Sequence, residues 1–237
     1  MLLKKKKILL GKSLAGGGLS AYQSLIISEG PIAYWPLNEL DGSTANDLVG
    51  IRNGSINSGV ELGTPGASAG SKSMFFNGVW GVISLPVIDI PLFGAFECWI
   101  KHNYTTETYR PIFSNRNGDS TGTVKSLLIG ATLDTNAPGS FSQHQTPNLF
   151  KATATVGGGT FHHLVLSFTD TTLSIFIDGV IRGSGAALRT ASPTPPRNGN
   201  IGFDSEASSY FTGNLQDIAI YDRALNQSTA LAHFNGR

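Results

Sequence analysis

The most regular alternation of apolar and polar positions lies in the segment FHHLVLSFTDTTLSIFIDGVI, residues 161–181. Every second position in each half is mostly apolar, and β-branched and aromatic residues dominate, which is typical of strands. These positions are His162, Leu164, Leu166 and Phe168, followed by Leu173, Ile175 and Ile177. The polar run 169–172 separates the halves, and Asp178-Gly179 supplies a second tight turn. The pattern therefore predicts a β-hairpin.

Alternation elsewhere predicts further strands at 32–39, 73–77, 81–85, 95–101, 111–114 and 126–132. In the segment 95–101, Phe96, Cys98 and Ile100 share one face, which we expect to lie between two sheets. Glu97, Trp99 and Lys101 occupy the other face, which we expect to point outward or into a groove. Helical spacing predicts two short helices, at 20–29 with Ser20 as N-cap and at 227–234 with Asn226 as N-cap.

Composition supports an all-β chain. Charged residues make up 14% of the 237 positions, and 29 glycines supply many turns, which suits a two-sheet sandwich better than a helical bundle. The single cysteine, Cys98, cannot form an intrachain disulfide and is predicted to be a small buried residue. The lack of disulfides suggests assembly in a reducing cytoplasm. No apolar run reaches the length of a membrane-spanning helix, so no membrane association is predicted.

The N-terminal segment differs from the rest of the chain. Its lysines (Lys4, Lys5, Lys6, Lys7 and Lys12) are followed by Gly16-Gly17-Gly18, whereas the rest is mildly acidic and offers no nucleic-acid surface. We interpret residues 1–19 as a flexible basic arm that attaches the protein to a partner. Two alternatives are a disordered tail without function and a cleaved signal sequence, although the apolar run of the latter ends after Ile8-Leu9-Leu10.

Three segments resemble one family. The hairpin is similar to the pattern W-H-H-V-V…L-x-L-Y-V-D-G of concanavalin A-like, laminin-G-like jelly rolls, with Phe161 and Phe176 at the aromatic positions. The run AYQSLIISEGPIAYWPLNE resembles the opening of such domains in phage structural proteins and bacterial surface proteins. The closing run from Ile201 resembles their last strand and capping helix. The resemblance implies one antiparallel jelly-roll sandwich over residues 20–237, with a short N-terminal helix and a short C-terminal helix.

Function then follows as an expectation. The opening motif, the absence of disulfides and the basic arm resemble a virion protein of a tailed phage, located in a capsid decoration, head fibre or tail fibre. Its expected partners are capsid or tail proteins, through the arm, and host-surface glycans; homo-oligomerisation is left open. The alternative is a bacterial secreted or cell-surface carbohydrate-binding module. A glycoside-active enzyme on the same fold is the third hypothesis.

The acidic residues argue against catalysis. Glycosidases on this fold need two carboxylates a few ångström apart. The sequence instead distributes its acids singly: Glu97 is isolated, and Asp178, Asp217 and Asp222 occupy turns or strand edges. His162 and His163 are adjacent, so in a strand they face opposite sides and cannot ligate one metal together. We therefore expect a binding protein rather than an enzyme.

A calcium site is implied by the resemblance, since related domains use the ion to join the N-terminal loop to the last strand. The matching positions are Glu39, Asp47 and Asp217, whose carboxylates are suitable calcium ligands. The alternative is that Asp47 is a turn residue and Asp217 a strand-edge residue that hydrogen-bonds to the backbone.

A glycan surface needs aromatic rings for stacking beside a few polar groups. Trp99, Tyr104 and Tyr109 form the best cluster in the sequence, and Trp80, just before its strand, is an equal candidate. The alternative is that each of these rings packs under the long loops.

Overall fold

The computed structural model describes residues 18–91, 93–102, 110–115, 128–131, 152, 158–186, 197–205 and 207–237. Most of the predicted arm, together with Tyr104 and Tyr109, lies outside these residues. The helices are α1 (Ala21–Ser28) and α2 (Gln227–Asn235). The strands are β1 (Ala33–Trp35), β2 (Thr44–Ala45), β3 (Gly54–Ile56), β4 (Val60–Pro65), β5 (Lys72–Asn77), β6 (Ile83–Ile88), β7 (Gly94–Lys101), β8 (Arg110–Ser114), β9 (Leu128–Ala131), β10 (His162–Phe168), β11 (Thr172–Ile177), β12 (Val180–Ala186), β13 (Arg197–Ile201), β14 (Phe203–Asp204), β15 (Ser209–Tyr210) and β16 (Thr212–Tyr221).

Two antiparallel sheets form a sandwich, as the sequence predicts. The eight-stranded sheet has the order β12-β11-β10-β7-β16-β5-β4, and β1 also pairs with β16. The six-stranded sheet has the order β2-β3-β6-β13-β8-β9. The predicted hairpin is formed by β10 and β11, in which Leu164 lies opposite Ile177 and Phe168 opposite Leu173. This hairpin and β7 place the centre of the sequence pattern in the middle of the larger sheet.

The inner core fills the space between the two sheets and is apolar. Phe96, Cys98 and Ile100 of β7 all lie in it, which confirms the predicted inward face of that strand. The alternate residues of the hairpin, from Leu164 to Ile177, are buried against the other sheet in the same way. Cys98 is buried and unpaired, and burial raises the pKa of its thiol. The alternation along the strands thus sets the inner face, because side chains alternate between the faces of a sheet.

The outer face of the eight-stranded sheet is the face turned away from the smaller sheet, and the two helices cover it. A second buried cluster joins the helices to the sheet; it includes Tyr22, Ile26, Trp99, Val165, Phe176, Tyr221 and Ala230. Because both faces are covered, the hairpin strands are buried on both sides, whereas alternation alone predicts one face in contact with solvent or a groove.

Both helices begin with the caps that the sequence predicts. The Ser20 hydroxyl accepts a hydrogen bond from the Gln23 backbone at 3.1 Å, and the Gln23 side chain accepts one from the Ser20 backbone at 2.9 Å, so α1 starts with a capping box. The Asn226 side chain accepts a hydrogen bond from the Thr229 backbone at 2.9 Å, and Gly236 caps the end of α2. In the described part of the chain, no helix is long and apolar enough to span a membrane.

Candidate functional site

Trp80 lies on the surface, in the loop between β5 and β6. Its side chain is 54% exposed, and the neighbouring Val79 is 59% exposed, so the two residues form an apolar projection. A Cβ atom at Gly59 would overlap the Trp80 ring, so the ring lies directly over the backbone of that glycine. An exposed aromatic ring supported from one side is the geometry that sugar stacking requires.

Two asparagines fix the loop that carries Trp80. The Asn77 side-chain oxygen accepts hydrogen bonds from the backbone N–H groups of Val79, Trp80 and Gly81 at 3.0–3.1 Å. The Asn57 side-chain oxygen accepts bonds from the backbones of Gly59 and Val82, and its amide donates to the Trp80 carbonyl. The loop is therefore pre-organised, which lowers the entropy that a ligand would have to remove on binding.

Trp99 occupies a different environment. It projects from the outer face of β7, as the alternation predicts, but it is only 4% exposed because α1 and α2 cover it. Its indole N–H donates a hydrogen bond to the Tyr22 hydroxyl at 2.9 Å, and its ring stacks on Phe234 with the centroids 5.8 Å apart. The ring thus joins the helices to the sheet and offers no open face to a sugar in this conformation.

Asp47 organises the N-terminal loop. One carboxylate oxygen accepts hydrogen bonds from the backbones of Tyr34, Val49 and Gly50, and the other accepts one from the Arg52 backbone, all at 3.0–3.2 Å. Glu39 lies in the same loop and accepts hydrogen bonds from the backbone and side chain of Asn46 at 2.7 and 3.0 Å. This geometry agrees with the alternative prediction for Asp47, a turn residue whose carboxylate binds backbone N–H groups.

Asp217 lies at a bulge in β16, where the pairing with β7 shifts register between Gln216 and Ala219. Its φ of 51° is in the left-handed region, and the bulge directs its side chain towards the helices. The carboxylate accepts a 2.5 Å hydrogen bond from the Tyr34 hydroxyl and forms an ion pair with Arg237. Burial raises the pKa of Asp217 to about 6, while Arg237 and Tyr34 oppose that change.

The three predicted calcium ligands do not surround one point in this arrangement. Asp47 bonds to the backbone of Tyr34 and Asp217 to the hydroxyl of the same residue, so the two carboxylates lie at opposite ends of a tyrosine side chain. Over the described residues, no group of three or more His, Cys, Asp or Glu side chains could hold a metal ion. The carboxylate oxygens of Glu39, Asp47 and Asp217 are not arranged around a shared ion. Calcium binding stays a prediction of the resemblance.

The outer face also contains a buried ionisable group that sequence analysis missed. Glu97 of β7 and His233 of α2 are both fully buried, and their side chains are 2.8 Å apart. His163 of β10 lies beside them: its ring centroid is 5.1 Å from that of Trp99 and 6.4 Å from that of His233. We call Glu97, His163 and His233 the outer cluster. One sequence signal was available, namely a glutamate in the middle of a mostly apolar strand, but its partner is 136 residues away.

His162, on the opposite side of β10, has an ordinary structural role. Its Nδ1 is 2.7 Å from one Asp178 oxygen, and the other Asp178 oxygen accepts a hydrogen bond from the His163 backbone at 2.8 Å. Asp178 has a φ of 52° and begins the turn before β12. Hydrogen bonds with His162 and with the His163 backbone lower the pKa of Asp178 despite its partial burial. These contacts fix the predicted Asp-Gly turn against the hairpin.

Comparison with known proteins places this geometry in a family context. A family model described as the concanavalin A-like lectin/glucanases superfamily, of the laminin G type, matches residues 93–230, which is more than half of the chain. A search of curated protein sequences found no match.

Several solved structures share the fold. A Trypanosoma rangeli sialidase in complex with sialic acid superposes with a TM-score of 0.64 at 15% identity, covering 87% of this chain and 33% of the sialidase. The chain therefore spans about a third of the length of that enzyme. A second similar structure is domain 4 of AbnA, a GH43 extracellular arabinanase from Geobacillus stearothermophilus, in complex with arabinotriose. It superposes with a TM-score of 0.62 at 18% identity, covering 86% of this chain and 97% of that domain. The binding domain of Paraclostridial Mosquitocidal Protein 1 superposes with a TM-score of 0.62 at 15% identity, covering 86% of this chain and 51% of that one.

Proposed function

Because the chain belongs to the concanavalin A-like lectin/glucanases superfamily, we propose that it is a non-catalytic glycan-binding protein whose binding surface is centred on Trp80. The single observation that carries the proposal is the exposed Trp80 ring on a loop fixed by Asn57 and Asn77. An indole ring offers a flat apolar face to the C–H groups of a sugar, and the fixed loop avoids the cost of ordering it on binding. The arabinotriose-bound domain of the arabinanase, which has almost the same extent, supports this class of function.

The experiment compares wild type, Trp80→Ala and Val79→Ala on arabinotriose, sialyllactose and an array of bacterial surface polysaccharides. We expect Trp80→Ala to weaken binding by about 1–3 kcal/mol, the range for loss of an aromatic contact at a binding hot spot. Val79→Ala removes an equally exposed apolar side chain from the same loop and should have a smaller effect. Wild-type protein that binds no glycan would refute the function, and Trp80→Ala with unchanged affinity would refute the site.

Trp99→Ala serves as a second control. Trp99 is buried, so its truncation should lower the melting temperature strongly, whereas Trp80→Ala should change it by a few degrees at most. A loss of glycan binding that accompanies only the unstable Trp99 variant would indicate a structural effect and not a sugar contact.

We further propose that this binding role is exercised in a tailed-phage virion, to which the basic residues 1–19 attach the domain. The support is the resemblance of the opening segment and the charge of the arm. Deleting residues 1–19 should leave a folded, glycan-binding domain that no longer enters its assembly. A deletion variant that is still incorporated would count against the arm. Secretion of the protein by a bacterium, with no virion association, would favour the alternative of a cell-surface carbohydrate-binding module.

An enzymatic role on the same fold is the second candidate, since a sialidase is among the similar structures. The buried carboxylates of the described residues argue against it. Asp47, Glu97, Asp204 and Asp217 are each at most 1% exposed, so none can reach a substrate in solution. Most glycosidases need two carboxyl groups on either side of the scissile bond, whereas sialidases use a tyrosine nucleophile. Turnover of a fluorogenic sialoside or arabinoside by purified protein, lost on mutation of an exposed acidic residue, would overturn the non-catalytic assignment.

A further inference from the structure

The C-terminal helix α2 covers His163, a buried histidine whose surroundings disfavour the protonated form. His163 is fully buried, and α2 contributes the side chains above it, with His233 next to its ring and Phe234 stacked on the adjoining Trp99. Among the residues that the structure describes, neither ring nitrogen of His163 has a hydrogen-bond partner. A protonated imidazole carries two N–H donors that both need acceptors, so this environment accepts only the neutral form.

Within the described part of the chain, four ionisable groups face His163 from the elements packed around it. Glu97 of β7 and Asp178 in the turn after β11 favour a positive charge, whereas His233 of α2 and Arg237 just beyond it oppose one. Burial is the largest influence and lowers the pKa of His163 to about 4. Glu97 is the larger of the two favourable influences, and its Oε2 atom lies 2.8 Å from Nδ1 of His233. The two groups that oppose the charge thus lie on α2 or just beyond it.

We propose that His163 is an acid sensor beneath α2, and that its protonation is coupled to displacement of this helix from the outer face. Moving α2 away carries off both opposing groups, His233 and Arg237, and admits water to the imidazolium. The same movement uncovers Trp99 and the aromatic side chains around it. By linkage, a site that protonates more readily in the open state shifts the equilibrium towards that state as the pH falls.

Asp217 acts in the opposite direction and has to be separated from His163 in the experiment. Its pKa is raised to about 6 in the folded protein, so its protonation favours the folded state as the pH falls. A comparison of wild type with His163→Phe cancels this contribution, because Asp217 is present in both proteins. Val165→Ala is the matched control, since it shortens a buried apolar side chain on the same face of β10 as His163 and alters no titratable group.

Hydrogen exchange with mass spectrometry on the full chain would measure opening of α2 at pH 7.5 and pH 4.5, after correction for intrinsic rates. We expect the ratio of α2 opening constants, wild type over His163→Phe, to rise at least tenfold at the lower pH. The ratio of wild type to Val165→Ala should stay constant. Peptides from β7 and β16 should keep their protection, which shows that α2 moves without global unfolding.

Three outcomes would overturn the proposal. The first is a wild-type to His163→Phe ratio that is the same at both pH values. The second is an equal acid-induced rise for α2 and for the central strands, which indicates general acid unfolding. The third needs no variant: an NMR titration in which His163 protonates near pH 6.5 while α2 stays protected would show that the covered site tolerates the charge. His163→Gln, which has a similar length, replaces the phenylalanine variant if that protein does not fold.

Discussion

The two faces of the eight-stranded sheet are both buried, but by different chemistry. The inner face packs apolar side chains against the smaller sheet, with Phe96, Leu166 and Ile175 all at most 2% exposed. The outer face carries aromatic rings together with Glu97 and His163, and it is covered by two helices and not by another sheet. Hydrophobic burial is non-directional, so the inner face is held mainly by area and shape. The outer face depends on particular pairs of atoms.

This difference separates sheet packing from helix docking. An apolar core tolerates exchange between residues of similar volume, whereas a buried ion pair loses much stability when one partner is removed. The outer cluster and the Asp217–Arg237 pair therefore specify where α2 lies on the sheet. Truncation of residues on the outer face should accordingly show pairwise coupling and pH dependence, and truncation on the inner face should show neither.

The largest expected effect is that of Glu97→Ala. It leaves His233 buried without its partner, and breaking a buried pair in this way costs about 3–5 kcal/mol of unfolding free energy. Urea denaturation at pH 7 measures the cost. The double variant Glu97→Met with His233→Leu replaces both polar partners by apolar groups and should recover most of that loss. If the double variant loses as much stability as Glu97→Met and His233→Leu lose in sum, the pair is not coupled and the contrast between the faces fails.

A second prediction concerns the pH dependence. The pKa of His163 falls from 6.5 to about 4 on folding, so the folded state binds fewer protons than the unfolded state between these values. The contribution of His163 to the free energy of unfolding is fully present above pH 6.5 and is lost as the pH falls towards 4. Relative to His163→Phe, wild type should therefore lose about 3 kcal/mol of unfolding free energy between pH 6.5 and pH 4, at about 1.4 kcal/mol for each pKa unit.

The matched control for this prediction is Leu166→Ala on the inner face. Its cost of about 2–5 kcal/mol arises from lost burial and a cavity, and it should be the same at pH 7 and pH 4.5. A pH-dependent cost for Leu166→Ala, or a pH-independent one for His163→Phe, would remove the distinction between the two faces.

The smallest effect is expected from a chelator. The oxygens of Asp47 and Asp217 are occupied by backbone N–H groups, Tyr34 and Arg237, so EDTA should leave the melting temperature unchanged. Asp217→Asn should lower stability equally with and without calcium, since it breaks the pair with Arg237. A melting temperature that falls with EDTA and recovers with calcium, but not magnesium, would support the calcium prediction instead.

The sequence by itself determined the sandwich, its central hairpin and both helix caps. Residues 161–181 specify their own strands because alternation has a period of two and Asp-Gly favours a tight turn. Ser20 and Asn226 bond to backbone groups three residues away, so local sequence is sufficient for both caps. The sequence also allowed Trp80 to be proposed as a sugar-contacting residue, although nothing in the sequence distinguished its exposure from that of Trp99.

Only the tertiary structure decided which tryptophan is covered and what the carboxylates contact. Alternation correctly placed Trp99 on the outer face of β7, but a pattern within one strand contains no information about Tyr22 of α1, which lies 77 residues earlier, or about α2 near the C-terminus. The same holds for the pairing of Glu97 with His233 and of Asp217 with Tyr34, which are separated by 136 and 183 residues. Such contacts form when the helices close over the sheet, because folding alone brings distant segments within hydrogen-bonding distance.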